Sequence, residues 1–427
     1  MINRRNNLVL SVITTILTLI LPTPLVFATA SSGDQKINQI LDIIIDQNIL
    51  VKSAREAHLA SKHIEHGSGF MPDPIIKLNF FGSPIETRNG PQKSNIMVTQ
   101  NIPWPSTLRS EEQRSASMTR LKKEQIEAFI LDLKFEAKSV VYKYAELSEK
   151  IESRNKMILT LNNLGKVVLS RIKLGEASQA EISRINIEII KLTQNLRLIE
   201  TKMMSLRLKL TSMTGGKDIV HLLPTFVDNK WGMIINIDPS KVNLSSHPRV
   251  LLAKAKIGLA QAELDQVKAK RLPKFGISAS WFQIDEPNSA MTGPGAGKDA
   301  WAVGASVSIP IWSKKYDSME YNQIARRSAA KYELSQQELD LRTEIKSTYE
   351  ELQAANDISA MFRSDILPQA NQALKADRES YTQGNVPFER VIENYIRVIK
   401  FEDQLLESQV KQATLIAAIE KLVGRSL

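Results

Sequence analysis

Phe275-Gly276-Ile277-Ser278-Ala279-Ser280-Trp281 and, beyond a loop, Trp301-Ala302-Val303-Gly304-Ala305-Ser306-Val307-Ser308-Ile309 each alternate an apolar residue with a small or polar one. A period of two gives each run one apolar face and one small or polar face, the signature of a strand. Runs of about nine or ten residues match a tilted membrane-spanning strand, whereas a strand in a soluble sandwich is usually about five or six. Trp281 and Trp301 flank the intervening loop, where an interfacial aromatic girdle belongs. A rougher version lies upstream: Ile76, Leu78 and Phe80 oppose Lys77 and Asn79, and Ile96 and Val98 oppose Thr99. Strand pairs are therefore expected at 75–82 with 94–102 and at 275–284 with 300–309.

Outward from the strands the period becomes helical. Residues 41–66 and 247–271 read as helices, and a very long one follows each second strand. Ile126, Phe129, Leu133, Ala137, Val140, Tyr144, Leu147 and Ile151 begin a seam of three- and four-residue steps that continues through Ile172, with Arg154 and Gly165 at two missed positions. The helix 106–173 would be about 100 Å long. Its partner, 178–213, keeps the steps without a miss from Ile182 to Met213. A sustained period of about 3.5 means coiled-coil packing. The second copy, with helices 314–382 and 387–423, has Val391, Val398, Phe401, Leu405, Leu415, Ile419 and Leu422 in its seam but also Asn394, Ser408 and Gln412, so looser packing is expected there.

The chain is thus written twice. Pro72 answers to Pro273, Ile102-Pro103-Trp104 to Ile309-Pro310-Ile311-Trp312, Gly175 to Gly384 and Gly215 to Gly424. The first structural repeat spans 31–217, a connector 218–246, and the second repeat 247–427. Before them, Arg4 and Arg5 precede an apolar run from Leu8 to Leu21, with Ala28, Thr29 and Ala30 at cleavage positions, so residues 1–30 read as a signal peptide. The run is shorter than the roughly 20 residues of a membrane helix, and no later segment reaches that length, which leaves strands as the means of insertion.

Composition excludes several classes. The 427 residues contain no cysteine, which removes disulfides, thiol catalysis and a lipidated N-terminal Cys. The net charge of +10 comes from 56 basic and 46 acidic residues that are interleaved, without the aromatic-laced basic clusters of nucleic-acid binders, so no nucleic-acid partner is expected. Gly293-Pro294-Gly295-Ala296-Gly297-Lys298 imitates a phosphate loop, but Thr292 and Asp299 replace the required Gly and Ser or Thr, and a strand follows. His58, His63 and His66 share a helical stretch without a completing ligand set. No nucleophile elbow, zinc-protease or nucleotide fingerprint occurs; the expectation is no enzyme, no catalytic or metal residues and no cofactor.

Four strands cannot close a barrel, and open edges cannot face lipid. The chain must oligomerise, and multiples of four permit a dimer of 8 strands or a trimer of 12.

Signal peptide, two copies of helix, strand pair, long helix and shorter helix, proline at the strand-to-helix junctions and glycine at the helical tips together resemble the TolC family of outer-membrane channels. Met71-Pro72-Asp73-Pro74 and Gln100-Asn101-Ile102-Pro103-Trp104-Pro105 are similar to its CzcC-like heavy-metal efflux branch, although Ser106 and Thr107 stand where Gly and Lys are common. The resemblance implies an α+β membrane protein: a homotrimer with one 12-stranded barrel in outer-membrane lipid of a Gram-negative bacterium, continued by a periplasmic α-helical coiled-coil barrel. It implies a passive efflux duct, with heavy-metal cations as a candidate cargo, fed by an inner-membrane efflux pump through a periplasmic adaptor (membrane fusion) protein. Tip and adaptor-contact positions map to Arg171, Leu174, Gly175, Ser178, Tyr381, Gly384 and Pro387, and strand-to-helix junctions to Pro103, Pro105 and Pro310. The alternative class, a structural or adaptor-type periplasmic coiled-coil protein of the envelope, would show one hairpin flanked by β-domains; two hairpins and two strand pairs favour the duct.

Overall fold

In the computed structural model, residues 32–223, 237–287 and 294–426 are described. The signal peptide expected at 1–30, part of the 218–246 connector and part of the 285–298 loop, including the first residue of the phosphate-loop imitation, lie outside them. Helices α1 (Ser32–Gln47) and α2 (Ile49–His66) lead into strands β1 (Ile75–Thr87) and β2 (Gly90–Ile102), followed by α3 (Pro105–Lys173) and α4 (Gln179–Met213). The second half runs α5 (Pro248–Ala269), β3 (Lys274–Ile284), β4 (Ala300–Ser308), α6 (Ser313–Met361), a π turn at Phe362–Ile366, α7 (Leu367–Thr382) and α8 (Phe388–Val423). Among the described residues no helix is long and apolar enough to cross a membrane.

Several boundaries differ from the sequence expectation, each for a local reason. The helix expected at 41–66 begins at Ser32 and breaks at Asn48, whose side-chain oxygen accepts the Leu50 and Val51 N–H groups at 3.0 and 3.1 Å and so restarts the helix. Strands β1 and β2 are 13 residues each rather than eight or nine, because a tight turn at Arg88-Asn89 keeps them paired past a bulge between Phe80 and Ile85. The rod expected as one helix over 314–382 contains the π turn just before Pro368, which has no N–H to donate and crowds the preceding turn. The strand expected at 300–309 stops at Ser308, before Pro310.

The strands form one antiparallel sheet in the order β1-β2-β3-β4. Its register sorts the side chains by face. Leu78, Ile96, Trp281 and Trp301 share one row across the sheet, and Ile102, Phe275 and Val307 another six residues away. The apolar band between them is about 20 Å tall along the strand. The opposite face carries the row Ile75, Thr99, Ser278, Gly304 and the row Asn101, Gly276, Ser306, mostly small or polar, with Met97 and Phe282 nearer the turns. Tryptophans stand at both ends of the band: Trp281 directly opposite Trp301 at one, Trp104 and Trp312 at the helical end. β1 and β4 have no partner on their outer edges among the described residues.

Below the sheet, α3 and the α6–α7 rod run the whole length, while the other two rods are spliced from shorter helices. α2 sits over α4, and α5 over α8. Asn48 Nδ2 donates to the Met213 carbonyl at 3.0 Å, so one side chain caps the start of α2 and the end of α4. At the second splice, His247 Nδ1 accepts the Arg249 N–H at 3.2 Å, and Nε2 lies 3.0 Å from the Lys421 carbonyl, which makes Nε2 the protonated nitrogen. Close approach there requires Gly424, where a Cβ would stand 2.9 Å from His247 Cδ2. Asp132 of α3 braces the joint from the side, holding Arg249 at 2.7 Å and Lys421 at 2.9 Å.

α3 and α8 lie antiparallel, laced by Lys138–Glu420, Lys150–Glu407 and Arg154–Asp403. The two misses in the α3 seam are thereby explained. Arg154 is buried because it reaches both Asn195 of α4 and Asp403 of α8, and Gly165 lies beneath Ile182, whose methyl would be 3.5 Å from a Cβ. The expectation of looser packing in the second copy is not met. α8 is the more buried helix of the two, since α3, α6 and α7 all pack on it. Asn394 donates to Asp377, Ser408 to the Leu405 carbonyl at 2.7 Å and Gln412 to the Ala355 carbonyl at 3.2 Å.

Burial, together with the neighbouring Arg249, holds the His247 imidazole below its ordinary value in spite of the Lys421 carbonyl and Asp132. The stability that the joint contributes is therefore complete above the ordinary histidine value of about 6.5 and is lost as the pH falls below it toward the lower folded value. The unfolding midpoint should drop between pH 7 and pH 5.5. His247→Asn, which copies the residue at the other splice, should flatten that pH dependence while costing at most about 1 kcal/mol at pH 7.5.

Candidate functional site

The end of the rods farthest from the sheet holds the sequence-predicted positions. α3 and α7 turn over through the same closed loop. At the first turn Glu176 N–H donates to the Arg171 carbonyl at 2.9 Å and Gly175 N–H to the Ile172 carbonyl at 3.0 Å. At the second, Asn385 N–H donates to Ser380 at 2.9 Å and Gly384 N–H to Tyr381 at 3.0 Å. Gly175 and Gly384 have φ of 77° and 79°, the left-handed conformation that closes a helix end and strains any residue with a Cβ.

Arg171 joins the two turns. Its Nη1 donates to the Tyr381 carbonyl at 2.6 Å, its guanidinium lies 4.5 Å over the Tyr381 ring, and its Nε is 3.5 Å from the Glu176 carboxylate. Tyr381, only 4% exposed, donates its hydroxyl to Glu181 Oε2 at 2.5 Å. The other Glu181 oxygen accepts the Ser178 N–H at 3.4 Å, closing the start of α4. The Tyr381 ring also meets Phe388 edge-on at 5.5 Å. Burial and the Glu181 hydrogen bond push the Tyr381 phenol well above its ordinary value, so it remains a donor at every physiological pH. One cation, one carboxylate and one phenol thus tie the first hairpin to the second.

Of the seven tip positions, Arg171, Ser178 and Tyr381 are brought into this one network. Leu174, 72% exposed, projects from the first turn beside Gly175, and Gly384 occupies the second. Pro387 precedes α8 as its N-cap, with φ of −73°. Sequence reading missed Glu181, although a Ser178-x-x-Glu181 capping box was visible. It also missed Asp377, a buried carboxylate of α7 that receives hydrogen bonds from Asn394 and Arg390 of α8 and locks the second hairpin. At the other end of the rods Pro103 follows β2, Pro105 is the first residue of α3 and Pro310 lies in the link from β4 to α6. Among the described residues no group of three or more His, Cys, Asp or Glu is arranged to hold a metal ion.

Residues 241–425 match the sequence family described as outer membrane efflux protein. Among solved structures, the chain is similar to the outer-membrane channel OprN, at 13% identity over 92% of this chain and 90% of that one, with a TM-score of 0.76. It is similar to CusC, described for its transmembrane channel formation, at 11% identity over 92% of each chain and a TM-score of 0.74. It is similar to the outer membrane protein VceC of Vibrio cholerae at 13% identity over 92% and 97%, with a TM-score of 0.72. A comparison with curated protein sequences gives no match. The chain has the fold of these outer-membrane channels, helical for the most part with a small antiparallel sheet.

If the Arg171–Tyr381–Glu181 network holds the hairpins together, Tyr381→Phe should loosen them by about 1–2 kcal/mol through the lost hydrogen bond. Amide exchange should quicken at 171–181 and 381–388 and remain unchanged in the sheet. Equal exchange in variant and wild type would show that the ring alone holds the turn.

Proposed function

We propose that this chain is the outer-membrane channel of a tripartite efflux system: a homotrimeric duct, without catalytic activity, in the envelope of a Gram-negative bacterium. The single observation that carries the reading is a four-stranded sheet with one apolar face, one small and polar face and two unpartnered edges, set on rods about 100 Å long. In lipid such edges need partners, and three copies joined β4 to β1 would supply a closed barrel of 12 strands. The apolar band with tryptophans at both ends then faces lipid, and the face carrying Gly276, Ser278 and Gly304 lines a lumen. The matched family and the channels sharing the fold support the same reading.

On this reading the rods cross the periplasm and the tip forms the inner mouth, where a periplasmic adaptor fed by an inner-membrane pump docks. Exposed Leu174 and the turns at Gly175 and Gly384 are the contact surface, and the Arg171–Tyr381–Glu181 network sets how far the mouth opens. Pro103, Pro105 and Pro310 turn the chain from barrel wall into rod. A heavy-metal cation as cargo rests on the two short motifs around Pro72 and Pro103 alone.

Purified protein should migrate as an SDS-resistant trimer, fractionate with the outer membrane and conduct ions in planar bilayers; a monomer released with periplasmic contents would sink the duct in favour of an adaptor-type protein. Gly384→Asp should reduce export while trimer yield stays normal, and normal export would make the turn only a helix stop. A tag at Gly295 should be reached by antibody on intact cells, since the 285–298 loop joins the strands at the end opposite the rods. Labelling only after permeabilisation would reverse the topology.

A further inference from the structure

The small, polar face of the sheet carries a charge pattern that the duct reading does not use. Strand alternation places Lys77 of β1 and Lys274 of β3 on that face. Lys77 lies in the row of Met97, Ser280 and Ala302, midway along the strands, and Lys274 pairs with Ser308 at the helical end. No strand places a carboxylate on this face: the inward residues of β4 are Ala, Gly and Ser, and Glu86 of β1 lies beyond the bulge, near the turn. The sheet's third lysine, Lys93, is already paired with Asp285. Lys77 and Lys274 are exposed, and neither has a carboxylate within ion-pair distance among the described residues.

We infer that Lys77 and Lys274 make the barrel lumen a cationic sleeve that favours anionic solutes and opposes free metal cations. The inference rests on the trimeric duct reading and adds the charge class of what passes. Twelve strands spaced about 4.8 Å apart and tilted by about 40° close on a backbone circle about 12 Å in radius. A lysine stem brings its ammonium about 6 Å inward, so the axis lies within the Debye length of about 8 Å at physiological salt. Six ammonium groups in the trimer stand on strands that place no carboxylate on this face; Glu111 of α3 shares a cavity with Lys274 at the helical end, whereas the row of Lys77 holds no acidic residue, so its ring leaves no path outside its field. Low-dielectric walls focus such a field and raise the local concentration of the opposite charge. A divalent cation moving singly through this section meets repulsion from every side, whereas an anionic compound or an anionic metal complex is drawn in.

The test is the reversal potential of single channels in a planar bilayer under a KCl gradient, read for wild type, Lys77→Gln/Lys274→Gln and Lys77→Glu/Lys274→Glu. Wild type should favour chloride, the neutral pair should lower the chloride-to-potassium permeability ratio at least about twofold, and the acidic pair should reverse the preference. A wild-type channel that prefers potassium, or a ratio unmoved by either pair, overturns the sleeve and leaves the duct standing. Inserted trimers that conduct nothing would remove the duct reading and the sleeve with it. Should the acidic pair fail to assemble, the neutral pair decides alone.

Discussion

Backbone hydrogen bonding at the edges of a four-stranded sheet is the constraint on which the rest of the molecule depends. Strands β2 and β3 are paired along both sides, while among the described residues the outer edges of β1 and β4 have no partner. Lipid offers no hydrogen bonds, so those edges exclude the single chain from a membrane whatever its apolar band. The band itself excludes an open aqueous sheet, since Phe80 and Trp301 would stand in water at 83% and 77% exposure. In the proposed trimer, closure between copies would resolve both at once, and each strand end would deliver a rod into a ring, giving the tube below as many walls as the barrel has strands.

The same proposal gives the splices a reason. A ring of rods of equal length would need α2 with α4, and α5 with α8, to behave as continuous helices although the chain enters them from different places. A helix end buried in the middle of a rod leaves carbonyls and N–H groups unpaired. Asn48 and His247 each satisfy both sides of a break with one side chain. Asparagine does so without titrating, whereas histidine makes one of the two joints sensitive to acid.

Much of this architecture was legible in the sequence, because period-two and period-3.5 patterns report burial directly. The strand faces, the α3–α4 seam and the turns at Gly175 and Gly384 follow from pattern alone. What escaped was decided by contacts that periodicity does not encode. Asn48 looks like an ordinary polar residue within a helical stretch until α4 ends against it. Pro368 sits unremarked within the single helix expected at 314–382, and a π turn absorbs it without ending the rod. Arg154 looked like a flaw in the seam and proves to be its cross-link to two other helices. At the tip, Arg171 and Tyr381 were found from motif resemblance, yet their partner Glu181 required the fold to bring residues 200 apart within 2.5 Å.

The same comparison reverses the inference about which hairpin is the more loosely held. Polar residues in a seam weaken it only when they lack partners. Asn394 has Asp377, and Asp377 has Arg390 as well, so the α7–α8 hairpin is pinned near its end by a buried polar cluster. α8 is also enclosed by three helices, whereas α4 packs chiefly on α3 and leaves Ile187, Ile190, Leu198, Met204 and Leu208 about half exposed or more. A regular apolar seam is therefore not the same as a secured one: α4 owes its regularity to α3 on one side and has an apolar surface still uncovered on the other. In the proposed ring of chains that surface would face the next copy, so α4, rather than the second hairpin, is the element least held by its own chain.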